Sequence, residues 1–332
     1  MRESAALAEQ GREQGGREPA PRCHLPQADG VLVLHKPKGP TSAWCIAQIK
    51  RRLNQKKIGH AGTLDPMAEG VLVVLLGQAT KVSGYLMQED GRKIYSGSIR
   101  LGVVTDTWDA EGQVLEEQPA DHITQADVDR EFKVLLGSYE QEVPAYSAAK
   151  HEGKPLYELA RKGKPVPVKK KTVTIFRGEA ELVGPSRIRF RVECSSGTYI
   201  RSLAHSLGNR LGCGGMLEKL IREYSHPFAL DAAHSLEAVL QEPEGFSRKV
   251  AGIPQALPGW PRIPLTEGEA AAVKNGRALE YDPGRMADLA FRPDIKAILF
   301  APSGEPLALA QTAYSNGKPV WTLLRGLWNQ ES

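Results

Sequence analysis

The alternation of apolar and polar positions along the chain predicts both strands and helices, as in an α+β protein. Residues 71–76 form a continuous apolar run, which is typical of a buried strand. Residues 93–101 and 187–194 alternate with a period of two, which predicts strands with one face on a core. Residues 42–53 and 127–136 repeat with helical spacing. Later short apolar runs, separated by Gly, Pro and Ser turns, predict a small β-barrel around Ile298, Leu309 and Trp321.

The length and the composition of the chain predict two domains. Its 332 residues exceed what one hydrophobic core usually serves. Residues 1–29 mix arginine with glutamate and lack an apolar stretch, which predicts a disordered tail and not a signal peptide. The proline-rich residues 241–261 predict a linker between a domain of residues 30–240 and one of residues 262–332. No apolar run approaches the roughly 18–20 residues that span a bilayer, so we expect no membrane association.

The basic residues are concentrated in one segment, although the whole chain carries a net charge of only +4. Residues 150–171 hold eight lysines and arginines against two glutamates, and such a block is typical of proteins that bind a polyanion. Tyr146 and Tyr157 lie among these cations. This composition suits RNA, because bases stack on aromatic rings while phosphates pair with cations. A solvated charge run, or an amphipathic helix whose lysines extend to solvent, is the alternative.

The cysteines and the acidic residues do not indicate a metal site. The four cysteines, at positions 23, 45, 194 and 213, lack the C-x-x-C spacing of structural zinc sites. Asp106 and Asp109 are close in sequence, but two carboxylates without further ligands are weak evidence for a cation, so we interpret them as stabilising their loop. The simplest interpretation is a reduced cytoplasmic protein without a bound metal.

Residues 59–70, with the sequence G-H-A-G-T-L-D-P-M-A-E-G, form the stretch of most unusual composition. Its three glycines permit backbone conformations that other residues avoid, and Pro66 restricts both itself and Asp65 before it. His60 and Asp65 are the titratable groups that precede the buried strand. A carboxylate on a stiff loop suits positioned chemistry, whereas the simpler alternative is a tight turn with a solvated aspartate.

The pattern G-H-x-G-x-L-D-P-x-A-x-G resembles the catalytic motif of the TruB family of tRNA pseudouridine synthases. Three further segments resemble that family in the same order: K-P-x-G-x-T-S from Lys36, G-x-x-T-D-T-x-D-x-x-G from Gly102, and C-S-x-G-T-Y-I-R from Cys194. His35 departs from the family pattern, which usually has aspartate there, so its role is left open.

The resemblance extends from about Gly30 to the C-terminus and includes two RNA-binding features. The segment Q-x-x-P-x-Y-S-A-x-K is similar to the RNA-gripping insertion of the family, here at about residues 144–171. N-G-R at residues 275–277, within the predicted barrel, resembles a PUA RNA-binding domain. The resemblance therefore implies a catalytic domain with a basic insertion, followed by an accessory domain.

The fold and the activity follow from the same resemblance. It implies the pseudouridine synthase fold, a mixed and mainly antiparallel central sheet with flanking helices, plus a small C-terminal PUA-like β-barrel. The implied reaction isomerises uridine 55 in the T-loop of tRNA to pseudouridine, after the base has flipped out of the stack. It needs no cofactor. The implied partner is the T-arm of tRNA, and we expect a monomer without a protein partner.

The resemblance also assigns residues to the site. Asp65 is implied as the catalytic carboxylate, Tyr95 as the active-site tyrosine and Arg201 as the partner of Asp65. The implied substrate-binding residues are His60, Tyr199, Leu220, Lys36 and Lys150. Arg201 is unusual on its own account, because a cation in the first turn of a predicted helix opposes the helix dipole and needs another partner.

Other interpretations are open at this point. Tyr95 alone is compatible with a core tyrosine whose hydroxyl is satisfied, and Arg201 alone with a surface arginine. A glycoside hydrolase that uses Asp65 and Glu69 as its carboxylate pair is a rival activity, but it leaves the basic segment unexplained. A non-catalytic RNA-binding protein or tRNA chaperone explains the basic segment, but it gives Asp65, Tyr95 and Arg201 no task.

Overall fold

The computed structural model describes residues 25–88, 91–285 and 291–328. Most of the predicted tail, residues 1–24, lies outside the described residues. Residues 25–29 are described, and they contact the body of the protein: the Gln55 side chain accepts a hydrogen bond from Ala28 N and donates one to Pro26 O, at 2.8 and 3.1 Å.

The N-terminal part of the chain contains a central sheet and its helices. Its strands are Gly30–Lys36 (β1), Ile58–Ala61 (β2), Glu69–Leu76 (β3), Lys93–Leu101 (β4), Val103–Thr105 (β5), Val114–Glu117 (β6), Gly137–Glu142 (β7), Lys150–His151 (β8), Lys154–Pro155 (β9), Lys170–Leu182 (β10), Arg187–Cys194 (β11), Gly215–Ser225 (β12), Phe228–Ala229 (β13), His234–Ser235 (β14) and Val250–Ala251 (β15). Its helices are Ser42–Arg52 (α1), Ser83–Gln88 (α2), Gln125–Val134 (α3), Leu156–Arg161 (α4), Ile200–Arg210 (α5), Leu236–Gln241 (α6) and Ile253–Ala256 (α7).

The C-terminal part adds one helix, Glu267–Lys274 (α8), and a second sheet. The strands of that sheet are Arg262–Pro264 (β16), Leu279–Glu280 (β17), Lys296–Phe300 (β18), Pro306–Ser315 (β19) and Lys318–Gly326 (β20). Short 3₁₀ turns occur at Gly77–Val82, Leu230–Ala232, Pro243–Lys249 and Pro283–Arg285.

The expected mixed, mainly antiparallel central sheet is confirmed. Its strand order within the described residues is β14-β1-β3-β12-β4-β11-β10-β7, with β2 paired to β3, β13 to β12 and β15 to β1. The β1–β14 and β12–β3 pairs are parallel and the others are antiparallel. β3 is buried along nearly its whole length, as its continuous apolar run predicts. The loop that contains Asp65 therefore leads into the middle of the sheet.

The ends of the helices follow from capping residues in the sequence. Thr41 caps α1 through its side-chain oxygen, which accepts a hydrogen bond from Trp44 N. Thr124 and Asp127 form a capping box at the start of α3. A cap of this kind contributes about 1 kcal/mol. The buried side of α1, which includes Cys45 and Ile49, packs into the core of the sheet.

The alternation predicted for β11 is present, but its outer face is not a free cationic surface. Each of its three arginines forms an ion pair with a glutamate of another strand. Arg189 pairs with Glu181 on the adjacent β10 at 2.7 Å, while Arg187 and Arg191 reach across β4 to Glu218 and Glu223 on β12, at 2.7 and 2.8 Å. The face is therefore close to neutral.

The C-terminal sheet, in the order β16-β18-β19-β20-β17, is curled like a half-barrel and fits the expected PUA-like domain. Its α8 begins with a capping box between Thr266 and Glu269. The two parts of the chain share an apolar cluster, in which Ile298 and Leu309 pack with Leu75 and Trp260.

The proline-rich residues 241–261 lie against the central sheet. Within them, β15 pairs with β1. A separate contact joins the N-terminal and C-terminal parts of the chain: the Lys81 ammonium donates hydrogen bonds to Gly326 O and Trp328 O, both at 2.9 Å. The division of the chain at residue 262 stays a prediction.

Candidate active site

A buried lysine holds the loop that carries Asp65. Lys36 ends β1, and its ammonium donates hydrogen bonds to Pro37 O, Pro40 O and Pro66 O, at 2.8, 2.7 and 3.3 Å. The Lys36 side chain is fully buried, and burial lowers its pKa. Because its donors are used on backbone carbonyls, Lys36 holds the loop; contact with a substrate stays a prediction.

The first turn of α1 fixes the other side of the same loop. The Ser42 hydroxyl donates a hydrogen bond to Leu64 O at 3.0 Å and accepts one from Leu64 N at 2.9 Å. Gly39 N donates to Pro66 O at 2.8 Å. The residues on both sides of Asp65 are thus hydrogen-bonded to the first turn of α1 and to the segment that joins it to β1.

Arg222, on β12, is a site residue that sequence reasoning did not identify. Its guanidinium is fully buried and donates hydrogen bonds to Val71 O and Gly62 O, at 2.7 and 2.8 Å. A longer bond of 3.4 Å reaches Thr63 O. Bulges on either side of this part of β12 break the two-residue period, so periodicity could not place Arg222 inside. The tripeptide L-I-R, a cation that ends an apolar pair, was the available signal.

Asp65 and Arg201 form a two-pronged ion pair. Arg201 Nε donates to Asp65 Oδ2 at 2.9 Å, and Arg201 Nη2 donates to Asp65 Oδ1 at 3.1 Å. The Arg201 side chain is 4% exposed and the Asp65 side chain 36%. Two parallel bonds of this kind fix the plane of the carboxylate as well as its position. They also explain why a cation occurs in the first turn of α5.

The remaining donors of Arg201 are held by the segments that cover it. Nη1 donates to Thr107 O at 3.1 Å, Nη2 donates to Tyr146 O at 3.0 Å, and Asp109 Oδ2 lies 3.6 Å from Nε. Arg201 therefore has one orientation, which is set by three parts of the chain.

Asp109 stabilises its own loop, as its spacing suggested. Its Oδ1 accepts hydrogen bonds from Thr107 Oγ1 at 2.6 Å and from Glu111 N at 3.1 Å. Burial raises the pKa of the Asp109 carboxyl, while the Thr107 hydrogen bond and the Arg201 charge oppose that rise.

An aromatic stack fastens this loop to α5. The rings of Trp108 and His205 lie 4.4 Å apart and almost parallel. Trp108 has a φ of 61°, a left-handed conformation that a bulky residue rarely adopts, so the surrounding contacts must hold it there. His205 lies one turn after Arg201 on α5, so the stack fixes the Thr107 carbonyl beside the Arg201 guanidinium.

The structure brings Tyr95 and Tyr199 to the Asp65–Arg201 pair. Tyr95 is buried, which raises the pKa of its hydroxyl, and the nearby Arg222 charge opposes part of that rise. Burial also raises the pKa of Tyr199, whose backbone N–H donates to Gln141 Oε1 at 2.8 Å. The Asp65 charge adds to the rise in both pKa values, so both hydroxyls lie within its field.

The other predicted substrate-binding residues differ in their surroundings. Leu220 is buried in the main core on β12. His60 is partly buried, and its Nδ1 has no hydrogen-bond partner within the described part of the chain; burial lowers its pKa and favours the neutral ring. Lys150 is exposed and lies in the β8–β9 hairpin. The substrate contacts of all three stay predictions.

The basic segment, residues 150–171, projects its cations into solvent. Among the described residues, no carboxylate forms an ion pair with any of its eight lysines and arginines. The guanidinium of Arg161 lies 5.3 Å from the centre of the Tyr157 ring, and Tyr146 OH donates to Asp106 Oδ2 at 3.4 Å. The segment and the residues just before it thus present aromatic rings together with uncompensated charge.

The described residues contain neither a cluster of metal-binding side chains nor a helix that could span a membrane. Residues 25–88, 91–285 and 291–328 contain no cluster of three or more His, Cys, Asp or Glu side chains that could hold a metal ion. Their helices are too short or too polar for a bilayer span.

Residues 50–200 match the model of a protein family described as TruB family pseudouridylate synthase, N-terminal domain. Two bacterial proteins named tRNA pseudouridine synthase B are similar to nearly the whole chain. That of Oleidesulfovibrio alaskensis is 61% identical over 305 residues, which cover 92% of this chain and 98% of the relative. That of Nitratidesulfovibrio vulgaris (strain Miyazaki F) is 59% identical over 304 residues, with the same coverage.

A solved structure has the same fold. A chain in the structure of an H/ACA RNP bound to a substrate RNA containing 2'-deoxyuridine superposes with a TM-score of 0.66 at 22% identity. The superposition covers 91% of this chain and 86% of that one. At this identity the likeness concerns the fold alone.

Proposed function

The chain belongs to the TruB family of pseudouridylate synthases, and from that premise we propose that it isomerises uridine 55 in the T-loop of tRNA to pseudouridine, with Asp65 as the catalytic carboxylate. The observation that carries the residue assignment is the two-pronged bond between Arg201 and Asp65, at 2.9 and 3.1 Å. Relatives at 57–61% identity that are named tRNA pseudouridine synthase B support tRNA as the substrate.

The proposed reaction rearranges bonds without changing the composition of the RNA. The bond between uracil N1 and ribose C1′ breaks, the uracil turns, and a bond forms between C5 and C1′. The proton on C5 is lost and N1 gains one, so no oxidant or cofactor is needed. Asp65, which Arg201 keeps oriented, is the carboxylate that attacks the nucleoside or stabilises the charge that develops there. Tyr95 provides a ring beside the base.

The burial of the site supports base flipping. The partner of Asp65 is almost completely buried, and only the carboxylate itself reaches the surface. The reacting atoms of a stacked uridine are covered by its neighbours in the RNA, so the uridine must leave the stack to meet a carboxylate that is held at the mouth of a buried site. Tyr199, Leu220 and His60 are the residues that would line its pocket.

The remaining parts of the proposal concern the RNA and the cellular setting. The uncompensated basic segment, including Lys150, would bind the backbone of the T-arm, and residues 262–332 would add a second RNA contact. The protein would act as a monomer in the cytoplasm. The free cysteines Cys45, Cys194 and Cys213 support a reducing compartment.

Replacement of Asp65 by asparagine tests the catalytic assignment. The amide keeps the size of the side chain but removes its charge, so we expect turnover to fall about 10⁴-fold or more while tRNA binding persists. Single-turnover assays with unmodified tRNA transcript and excess enzyme, followed by nucleoside analysis, measure the product. Pseudouridine formation by the variant at a near-normal rate would refute the role of Asp65.

The same assay separates the two rival functions. Release of free uracil by the wild-type protein would indicate a glycoside hydrolase that uses Asp65 and Glu69. Tight tRNA binding without any isomerised nucleoside would indicate an RNA-binding protein or chaperone. Pseudouridine at other positions of the tRNA would contradict only the assignment to uridine 55.

A further inference from the structure

Lys93 is a partly buried lysine that the proposed reaction does not use. It begins β4, two residues before Tyr95, so the two side chains share one face of the strand. A methyl group built on Gly62 would lie 3.2 Å from Lys93 Nζ and 3.5 Å from Arg222 Nη1. The two cations therefore flank the start of the catalytic loop. Arg222 is bonded to backbone carbonyls there, whereas within the described chain Lys93 Nζ has neither a hydrogen bond nor an ion pair.

The charges that face Lys93 are mostly positive. Burial is the main cause that lowers the pKa of Lys93 to about 8, and the charges of Arg222 on β12 and Lys171 on β10 lower it further. Cys194, on β11, supplies no anion at neutral pH, because burial raises the pKa of its thiol to about 11. The neighbouring Glu193 is already paired with Arg92 and Arg177.

Lys171 is the second cation near Lys93, after Arg222, and it lies beside Gly197. Its ammonium lies directly over the α-carbon of Gly197, where any side chain would collide with it. Gly197 precedes Thr198 and Tyr199, so Lys171 reaches the edge of the expected base pocket. Lys171 is exposed, and it too forms no ion pair within the described ranges.

We propose that Lys93 and Lys171, with the charge of Arg222 behind them, form a binding site for one phosphate of the RNA backbone next to the flipped uridine. This inference rests on the proposed function. Cations that face one another without a counter-ion are unfavourable in a partly buried site, and an anion with several acceptor oxygens relieves that repulsion. Lys93 supplies the more buried ammonium and Lys171 the exposed one, so one phosphate can accept hydrogen bonds from both.

Salt dependence of tRNA binding measures this contact. Each phosphate contact contributes about one unit to the slope of log affinity against log salt concentration. Lys93→Met and Lys171→Met should each reduce the slope by about one and weaken binding about tenfold at low salt. Lys93→Arg should retain the slope. Lys133→Met, which removes an exposed lysine from the last turn of α3, is the matched control and should change the slope by much less.

The pH dependence gives a second readout. A phosphate beside Lys93 favours its charged form, so the complex should take up a proton on formation near pH 8. Affinity of the wild-type protein for tRNA should therefore fall as the pH rises through 8 and above, and Lys93→Met should remove that part of the dependence. Inorganic sulfate, as a small competitor, should slow the acylation of Lys93 measured by mass spectrometry.

Each contrary result identifies which idea is wrong. An unchanged salt slope in Lys93→Met and Lys171→Met would overturn the phosphate site. An unchanged slope together with a reduced single-turnover rate in Lys93→Met would also overturn it, and would indicate that Lys93 acts on the base. Absence of pseudouridine from wild-type reactions would refute the proposed function, whatever the salt slopes of the variants.

Discussion

The catalytic loop and the basic segment use the same cationic residue types in opposite ways. Around the loop, Lys36, Arg201 and Arg222 are 0%, 4% and 0% exposed, and every one of them donates to backbone carbonyls. In residues 150–171 the cations are mainly exposed and, in the part of the chain that the structure describes, lack carboxylate partners. Only Lys169 reaches a carbonyl there, that of Lys150.

This difference follows from what each region must do. A buried cation loses its hydration and is tolerated only where several acceptors replace the water, so it fixes the geometry of the groups it contacts. An exposed cation fixes no geometry, but it adds to the field that attracts a polyanion, and its effect is screened by salt. The loop cations should therefore control the chemical step, and the segment cations the affinity.

Arg201→Lys should have the largest effect among the variants that test this division. Lysine keeps the charge but has no planar fork, so it cannot bond both Asp65 oxygens together with Thr107 O and Tyr146 O. We expect single-turnover rates about 100-fold lower, with tRNA affinity within about threefold of wild type. Rapid-quench kinetics and filter binding measure the two quantities. Loss of affinity in place of rate would contradict the division.

Lys93→Met should change stability in an unusual direction. The pKa of Lys93 is about 8 in the folded protein and 10.5 when the residue is free, so between these values the unfolded chain binds more protons. Lys93 therefore destabilises the fold fully below pH 8, and this effect fades as the pH rises toward 10.5.

We expect Lys93→Met to raise the free energy of unfolding at pH 7 by on the order of 1–3 kcal/mol, with the gain lost at high pH. Urea unfolding of the RNA-free protein at several pH values measures it. Lys133→Met, at the exposed end of α3, should show no such dependence. A destabilised Lys93→Met protein at pH 7 would mean that the ammonium supports the fold.

Neutralisation of Lys162, Lys164 and Lys170 tests the other half of the comparison. These lysines are exposed, and within the described residues their ammonium groups form neither hydrogen bonds nor ion pairs. Their replacement by alanine should weaken tRNA binding about tenfold at low salt and flatten the salt dependence, because fewer counterions are released. The rate at saturating tRNA should stay near wild type. A slow chemical step at saturation would show that the segment also acts in catalysis.

Trp108→Ala should have the smallest effect. The change removes the stack on His205 but leaves the Thr107 and Asp109 hydrogen bonds in place. We expect a rate about threefold lower without a change in affinity, because Arg201 would lose part of its positioning. Trp108→Phe, which keeps a ring for stacking, should recover most of the rate. An equal loss of rate in both variants would show that ring stacking on His205 does not help to position Arg201.

The sequence alone determined the elements with a strong local signal. Continuous or alternating apolar positions located β3, β4 and β11, and helical spacing after two residues that can cap a helix, Thr41 and Ser42, located α1. Glycine and proline around Asp65 indicated a stiff loop, and a cation in the first turn of α5 required a partner. These signals are local because a strand period, a cap or a misplaced charge is written within a few neighbouring residues.

Only the tertiary structure decided what the cations contact. Bulges in β12 shift its register and direct Arg222 under the loop, and the order of the strands neutralises the β11 arginines with glutamates from β10 and β12. The sequence around Lys36 and around Lys93 is like that around many exposed lysines. In the structure, however, Lys36 donates hydrogen bonds to backbone carbonyls, whereas Lys93 lies near the charges of two other cations. A side chain's partners depend on register and on chain segments tens to hundreds of residues away, and no local pattern contains that information.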